Sequence, residues 1–156
     1  MKLVYRVLAY LISLTVVLQA ASIALGFFGL GSWIENGGTL NKAAMESGTT
    51  HFSGEVGLAF HGTVGTMVIP ALGVLLVVSS FFTRARSAIW WSLIVLGCIV
   101  VQVLLGVLAH DAYALGAVHG IFAFAVMGVS AYAGSAITRP GGNRAPVDRG
   151  VPAGQR

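Results

Sequence analysis

Residues 87–138 read SAIWWSLIVLGCIVVQVLLGVLAHDAYALGAVHGIFAFAVMGVSAYAGSAIT, a stretch in which Asp111 is the only formally charged side chain. His110-Asp111 parts it into two apolar blocks. A hydrocarbon core of about 30 Å is crossed by roughly 20 helical residues at about 1.5 Å each, so either block is long enough to span it. Two more such blocks precede them, because no charge falls between Arg6 and Glu35 or from Val56 to Thr83. Glycines and Pro70 inside these blocks do not argue against membrane helices, where both are tolerated. The expected fold class is therefore all-α, an integral membrane four-helix bundle running up-down-up-down. Its transmembrane domain covers 1–138, with spans at about 4–30, 56–82, 87–109 and 113–137.

Composition agrees. Of 156 residues 56% are hydrophobic and only 9% charged, where a soluble domain carries about 25% charge to cover its surface. A soluble globular domain is excluded by that shortfall, and disorder by the long apolar blocks. The single cysteine, Cys98, rules out an intrachain disulfide and any cysteine-built zinc or iron–sulfur site.

The net charge of +4 is a statement about topology once the charges are sorted by position. The N-terminus, the Arg84-Ala85-Arg86 turn and the tail hold Lys2, Arg6, Arg84, Arg86, Arg139, Arg144, Arg149 and Arg156 against Asp148 alone. The segment 31–55 and the His110-Asp111 turn hold Lys42 against Glu35, Glu46, Glu55 and Asp111. Eight of the 9 basic residues thus share one side. The positive-inside rule places both termini in the cytoplasm and 31–55 outside, as a multi-pass protein of the cytoplasmic membrane. The lipid bilayer is the expected partner and nucleic acid is not. Lys2, Arg6, the following apolar run and Ala20-Ala21-Ser22 also have the layout of a signal peptide. The apolar stretch runs on to Leu30, which favours an uncleaved first helix. The segment 139–156, rich in Pro, Gly and Arg, reads as a disordered cytoplasmic tail.

Inside the spans an order repeats. Gln19 and Gln102 lie near the outer ends of the first and third spans, and His61-Gly62 and His119-Gly120 near the outer starts of the second and fourth. This is the mark of a duplicated two-helix hairpin. At helical spacing Thr15, Gln19, Ser22 and Gly26 share a stripe, as do Cys98, Gln102, Gly106 and Ala109. Gly57, His61 and Gly65 share one on the second span, and Gly116, His119 and Ala123 on the fourth. Such small-and-polar faces turn away from lipid.

His61 and His119 fall at one depth, roughly 8–10 Å below the outer boundary at about 1.5 Å per residue. In an up-down bundle the second and fourth helices are diagonal, so the two imidazoles face each other across the core. That arrangement suits axial ligation of one haem iron from both sides. Gly57, Gly62, Gly65, Gly116 and Gly120 leave room for a macrocycle, Phe60, Phe122 and Phe124 cover it, and Gln19 and Gln102 hydrogen-bond the second ring nitrogens or a quinone carbonyl. The competing reading is a pair of neutral core histidines bonded to those glutamines in a cofactor-free structural or accessory subunit.

His51 and His110 lie at the outer surface, near Glu55 and Asp111 respectively. With Lys42 and the positive ends of the second and fourth helices they are candidates to receive haem propionates. They are equally candidates for an outer-face metal site built of His51, Glu55, His110 and Asp111. As acids at helix starts, Glu55 and Asp111 are favourable without any further role.

The stretch Gln102-Val103-Leu104-Leu105-Gly106, the short outer turn and Ala117-Val118-His119 resemble a helix pair in one four-helix half of haem A synthase. The chain as a whole resembles small, uncharacterised four-helix membrane proteins of bacteria. The first resemblance implies that His61 and His119 ligate haem and that Glu55 corresponds to the acidic residue preceding the first ligand. It differs in that Glu55 stands six residues before His61 and Gly62 follows it, where the synthase pattern has Glu three residues before and Arg directly after. The expectation is a haem b protein of the bacterial membrane in electron transfer or haem handling. Its partners would be a quinol or a redox subunit, with a homodimer as the counterpart of the eight-helix arrangement.

Overall fold

The computed structural model describes residues 1–48 and 51–137, and the expected tail 139–156 lies outside the described residues. Among them every regular element is helical: α1 (Lys2–Glu35), a short α2 (Lys42–Ser47), α3 (Glu55–Thr63), a π-helical turn (Val64–Val68), α4 (Ile69–Phe81), α5 (Arg86–Leu108) and α6 (Ala114–Ala136). Four helical stretches are long and apolar enough to cross a membrane: Lys2–Glu35, Glu55–Phe81, Arg86–Leu108 and Ala114–Ala136.

The first span outlasts the expected 4–30. Its helix continues through Ser32-Trp33-Ile34 and stops at Asn36, whose side-chain amide donates to the Ser32 carbonyl at 2.7 Å, followed by Gly37 at φ 91°. Only Gly accepts that left-handed backbone without strain, so the helix ends there.

The second span is not one continuous α-helix. Pro70 has no N–H to offer the carbonyl four residues earlier, and the wider π turn at Val64–Val68 precedes it. The result is a change of partner along the span. The half carrying His61, α3, packs against α1 and makes no more than slight contact with α5 or α6, whereas α4 packs against both α1 and α5. Helix α6 packs against α1 and α5.

Packing is dense in the half of the bundle that holds the chain start and the Arg84 turn. Tyr5, Ile12, Leu76, Val95, Ile99 and Val126 are fully buried there. The buried positions of α1 are Tyr5, Ala9, Ile12, Thr15, Gln19, Ser22 and Gly26, a seam at alternating three- and four-residue steps. The stripe expected on this helix is thus its inward face. Small and hydroxyl residues fill much of the interior, including Ser79, Ser80, Ser92 and Ser130. Each of these hydroxyls donates to a carbonyl three or four residues back on its own helix. A polar group so satisfied can stay out of water. Large apolar side chains, among them Phe28, Trp90 and Ile121, point outward, the distribution that a lipid surround favours.

One hydrogen bond ties α1 to α5 and another ties it to α6: Tyr5 Oη donates to the Ala88 carbonyl at 3.1 Å, and Ser13 Oγ to the Met127 carbonyl at 2.9 Å. Tyr5→Phe keeps the ring and removes the first, so a loss of about 1 kcal/mol is expected. Thermal unfolding in detergent checks it; an unchanged transition would show that the bond contributes nothing net.

Candidate functional site

The opposite half of the bundle is open. Because α3 leans on α1 alone, a cavity of about 720 Å³ remains among the spans, lined by both glutamines and both core histidines. Val16 to Phe27 on α1, Ile99 to Val107 on α5 and Gly116 to Met127 on α6 flank it. Eleven helical steps on α1 or α6 make it about 16 Å tall. The wall is mostly apolar, and Phe124, which is 70% exposed, opens it toward the surrounding lipid.

The histidines meet inside it. The ring centres of His61 and His119 are 6.1 Å apart with their planes at 65°. Each is oriented from the helix before it in the same way. His61 Nδ1–H donates to the Gln19 main-chain carbonyl at 3.3 Å, and His119 Nδ1–H donates to the Gln102 main-chain carbonyl at 3.0 Å. A carbonyl can only accept, so both rings carry a proton on Nδ1, and at His119 the amide donor meets a lone pair on Nε2. The Gln and His-Gly repeat in the sequence is therefore a repeated contact in space. The backbone carbonyls of the two glutamines take the Nδ1 positions, and of their side chains only that of Gln102 bonds a ring nitrogen.

The two halves differ beyond this bond. Gln102 Nε2 donates to His119 Nε2 at 3.2 Å and to the His119 carbonyl at 3.0 Å. Among the described residues nothing bonds His61 Nε2 or either polar atom of the Gln19 amide, although Gln19 is only 7% exposed. The carbonyl oxygen of the Gln102 side chain is likewise buried and unpartnered. Buried amides without partners are uncommon and costly, which marks this layer as a place for a ligand or ordered water.

The glycines divide into two groups. Gly62, Gly65, Gly116 and Gly120 line the cavity, and a Cβ on Gly62 or Gly120 would meet nothing within 4 Å. Gly57 does not line it. A Cβ there would overlap the Ser22 carbonyl oxygen, so this glycine lets α3 lie against α1 and leaves no room for a cofactor. Gly106, on the expected stripe but given no site role by the sequence, lies under the His119 ring: its Cβ would sit 3.0 Å from His119 Cε1. Its spacing of four residues from Gln102 was the available signal. Of the aromatics, Phe124 lines the cavity with Phe27, while Phe122 packs against the buried core.

The outer histidines separate. His51 Nδ1 lies 3.1 Å from a Glu55 carboxylate oxygen, one helical turn away, and is exposed. His110 is exposed at the cavity rim. Among the described residues no group of three or more His, Cys, Asp and Glu side chains comes together, so the four outer residues do not form one metal centre. Glu55 begins α3 as expected, whereas Asp111 stands in the turn ahead of α6, which starts at Ala114. Set against protein-family models, curated proteins and solved structures, the chain matches none, and the reading of its site rests on its own geometry.

Proposed function

We propose that the protein is a b-type haem protein of a bacterial cytoplasmic membrane, with His61 and His119 as axial ligands, serving electron transfer or haem handling. The observation that carries this reading is the spacing of the imidazoles. An imidazole nitrogen lies about 2.0 Å from a metal it binds, so two rings on opposite sides of one ion have centres roughly 6 Å apart. The rings stand at 6.1 Å. Metal-binding histidines characteristically donate their other N–H to a carbonyl, and both histidines do so. The cavity's height, its apolar wall and the open space beside Gly62 and Gly120 suit a macrocycle standing on edge.

The residues divide the work. The Gln19 and Gln102 carbonyls hold the tautomer and ring orientation, and Nε2 is left to bind. At His119 the Gln102 amide stands on the Nε2 lone pair at 3.2 Å and would have to move aside for a metal to be bound there. Bound there, haem would supply one-electron redox chemistry, and while both histidines are bound no position is left for oxygen. The lateral opening at Phe27 and Phe124 suits exchange with a membrane-soluble quinol. The charge asymmetry supports cytoplasmic termini, an up-down-up-down course and a site nearer the outer face.

A cofactor-free polar core is the second reading, favoured by the saturation of both His119 nitrogens. It leaves the Gln19 amide and His61 Nε2 without purpose. Purified from membranes of haem-replete cells, the full chain is expected to show a sharp Soret band and, on dithionite reduction, resolved alpha and beta bands. A colourless, folded preparation that also fails to take up added hemin would refute the haem reading.

A further inference from the structure

The two histidines are unequal, and the inequality lies in Gln102. We infer that Gln102 makes His119 the displaceable member of the pair, so that haem is held firmly through His61 and reversibly through His119, with a coordination position opening on the His119 side. The inference rests on the haem reading and deepens it.

Consider each imidazole away from the metal. His119 has both nitrogens bonded, Nδ1 to the Gln102 carbonyl at 3.0 Å and Nε2 to the Gln102 amide at 3.2 Å. The amide is anchored in place by its bond to the His119 carbonyl at 3.0 Å. Gly106 provides the flat bed on which the ring rests in this pose, with its Cβ position 3.0–3.1 Å from Cε1 and Nδ1. A waiting partner therefore compensates His119 for losing iron. His61 has no such partner: among the described residues its Nε2 is unbonded, and the amide of its own glutamine, Gln19, makes no hydrogen bond. Leaving the metal would leave Nε2 without a protein partner on the His61 side only, and a ring that regains a hydrogen bond is released at lower cost than one that does not.

The arrangement gives Gln102 a positioning role and favours a site that can release or hand on its haem, or admit a small neutral ligand, over one that only relays electrons. One amide nitrogen makes both the Nε2 bond and the bond to the His119 carbonyl, so both belong to the displaced state.

Carbon monoxide is the probe, because it binds reduced haem only where a ligand has left. In the reduced full-length protein Gln102→Leu is expected to slow carbon monoxide association about fivefold, the shift one buried hydrogen bond commands, with the low-spin spectrum retained. Independently, His119→Ala is expected to keep its haem through gel filtration and to bind carbon monoxide rapidly, whereas His61→Ala loses haem. Equal association rates in wild type and Gln102→Leu, or equal haem loss from the two histidine variants, would overturn the inference while leaving the haem reading intact. A wild-type protein that takes up no haem overturns both.

Discussion

A chain in which His61 and His119 are both replaced by alanine is expected to remain folded and to bind no haem, with Soret absorbance per protein falling to the background of the preparation. The loss follows from removing both imidazoles that face each other in the cavity; of the remaining lining only Met127 and the exposed rim residue His110 carry an atom that ligates haem iron. The cavity lining is apolar apart from the two glutamines, Thr66 and the rim residue His110. The fold survives because neither histidine belongs to the densely packed half. Tyr5, Ile12, Leu76 and Val95 are fully buried elsewhere. His61→Ala removes one ring hydrogen bond and His119→Ala two, each worth about 1 kcal/mol, and the Gln19 and Gln102 carbonyls keep their helical partners. Helicity by circular dichroism and a monodisperse elution profile, measured beside the pyridine haemochrome content, separate loss of ligation from unfolding. Wild-type haem stoichiometry in the double variant would place the cofactor, if any, at another site.

Gly57→Val is expected to have the largest effect on the fold. A Cβ at this position would overlap the Ser22 carbonyl oxygen and stand 3.0 Å from the Gly26 amide nitrogen. Both obstacles are backbone, so neither can swing aside, and the two helices must separate. Overpacking of this kind costs about 1–3 kcal/mol and more where the backbone has to shift. Little else restrains α3, whose main contact is α1. Separation also stretches the His61 Nδ1 bond to the Gln19 carbonyl, already 3.3 Å. The thermal transition in detergent should drop by several degrees, since about 1 kcal/mol corresponds to roughly 2–4 °C in a chain of this size. Gly128→Val is the matched comparison: nothing lies within 4 Å of a Cβ there and the residue is outside the cavity, so its transition should stay near wild type. If both valine variants melt together, the α1–α3 contact at Gly57 does not limit stability.

Much of this architecture was legible because membrane burial is written one residue at a time. A charge at mid-span is costly wherever it points, so the uncharged blocks located the four helices to within a few residues without any knowledge of packing. The inward seam of α1 was legible for the same reason, since Thr15, Gln19, Ser22 and Gly26 had to turn from lipid. The glycines were not separable. Gly57 and Gly62 look alike in the sequence, and only the neighbouring helix decides that one is a close contact and the other an opening. The π turn was equally silent. Pro70 announced some disturbance of the second span, but a proline in a membrane helix is compatible with a bend, a kink or a widened turn.

By itself, the sequence determined that four helices are long and apolar enough to span a membrane, which residues of α1 turn inward, and that Gln and His-Gly recur in order. Those are properties of single residues and their spacing, and a helix carries them whatever it packs against. Only the tertiary structure decided that α3 leans on α1 and leaves a cavity, that backbone carbonyls orient both imidazoles, and that Gln102 bonds His119 where Gln19 leaves His61 Nε2 free. The physical reason is that a hydrogen bond between helices depends on their separation and on rotamers a few tenths of an ångström apart. The repeat of residues could foretell a symmetric site, and packing made the two halves unequal.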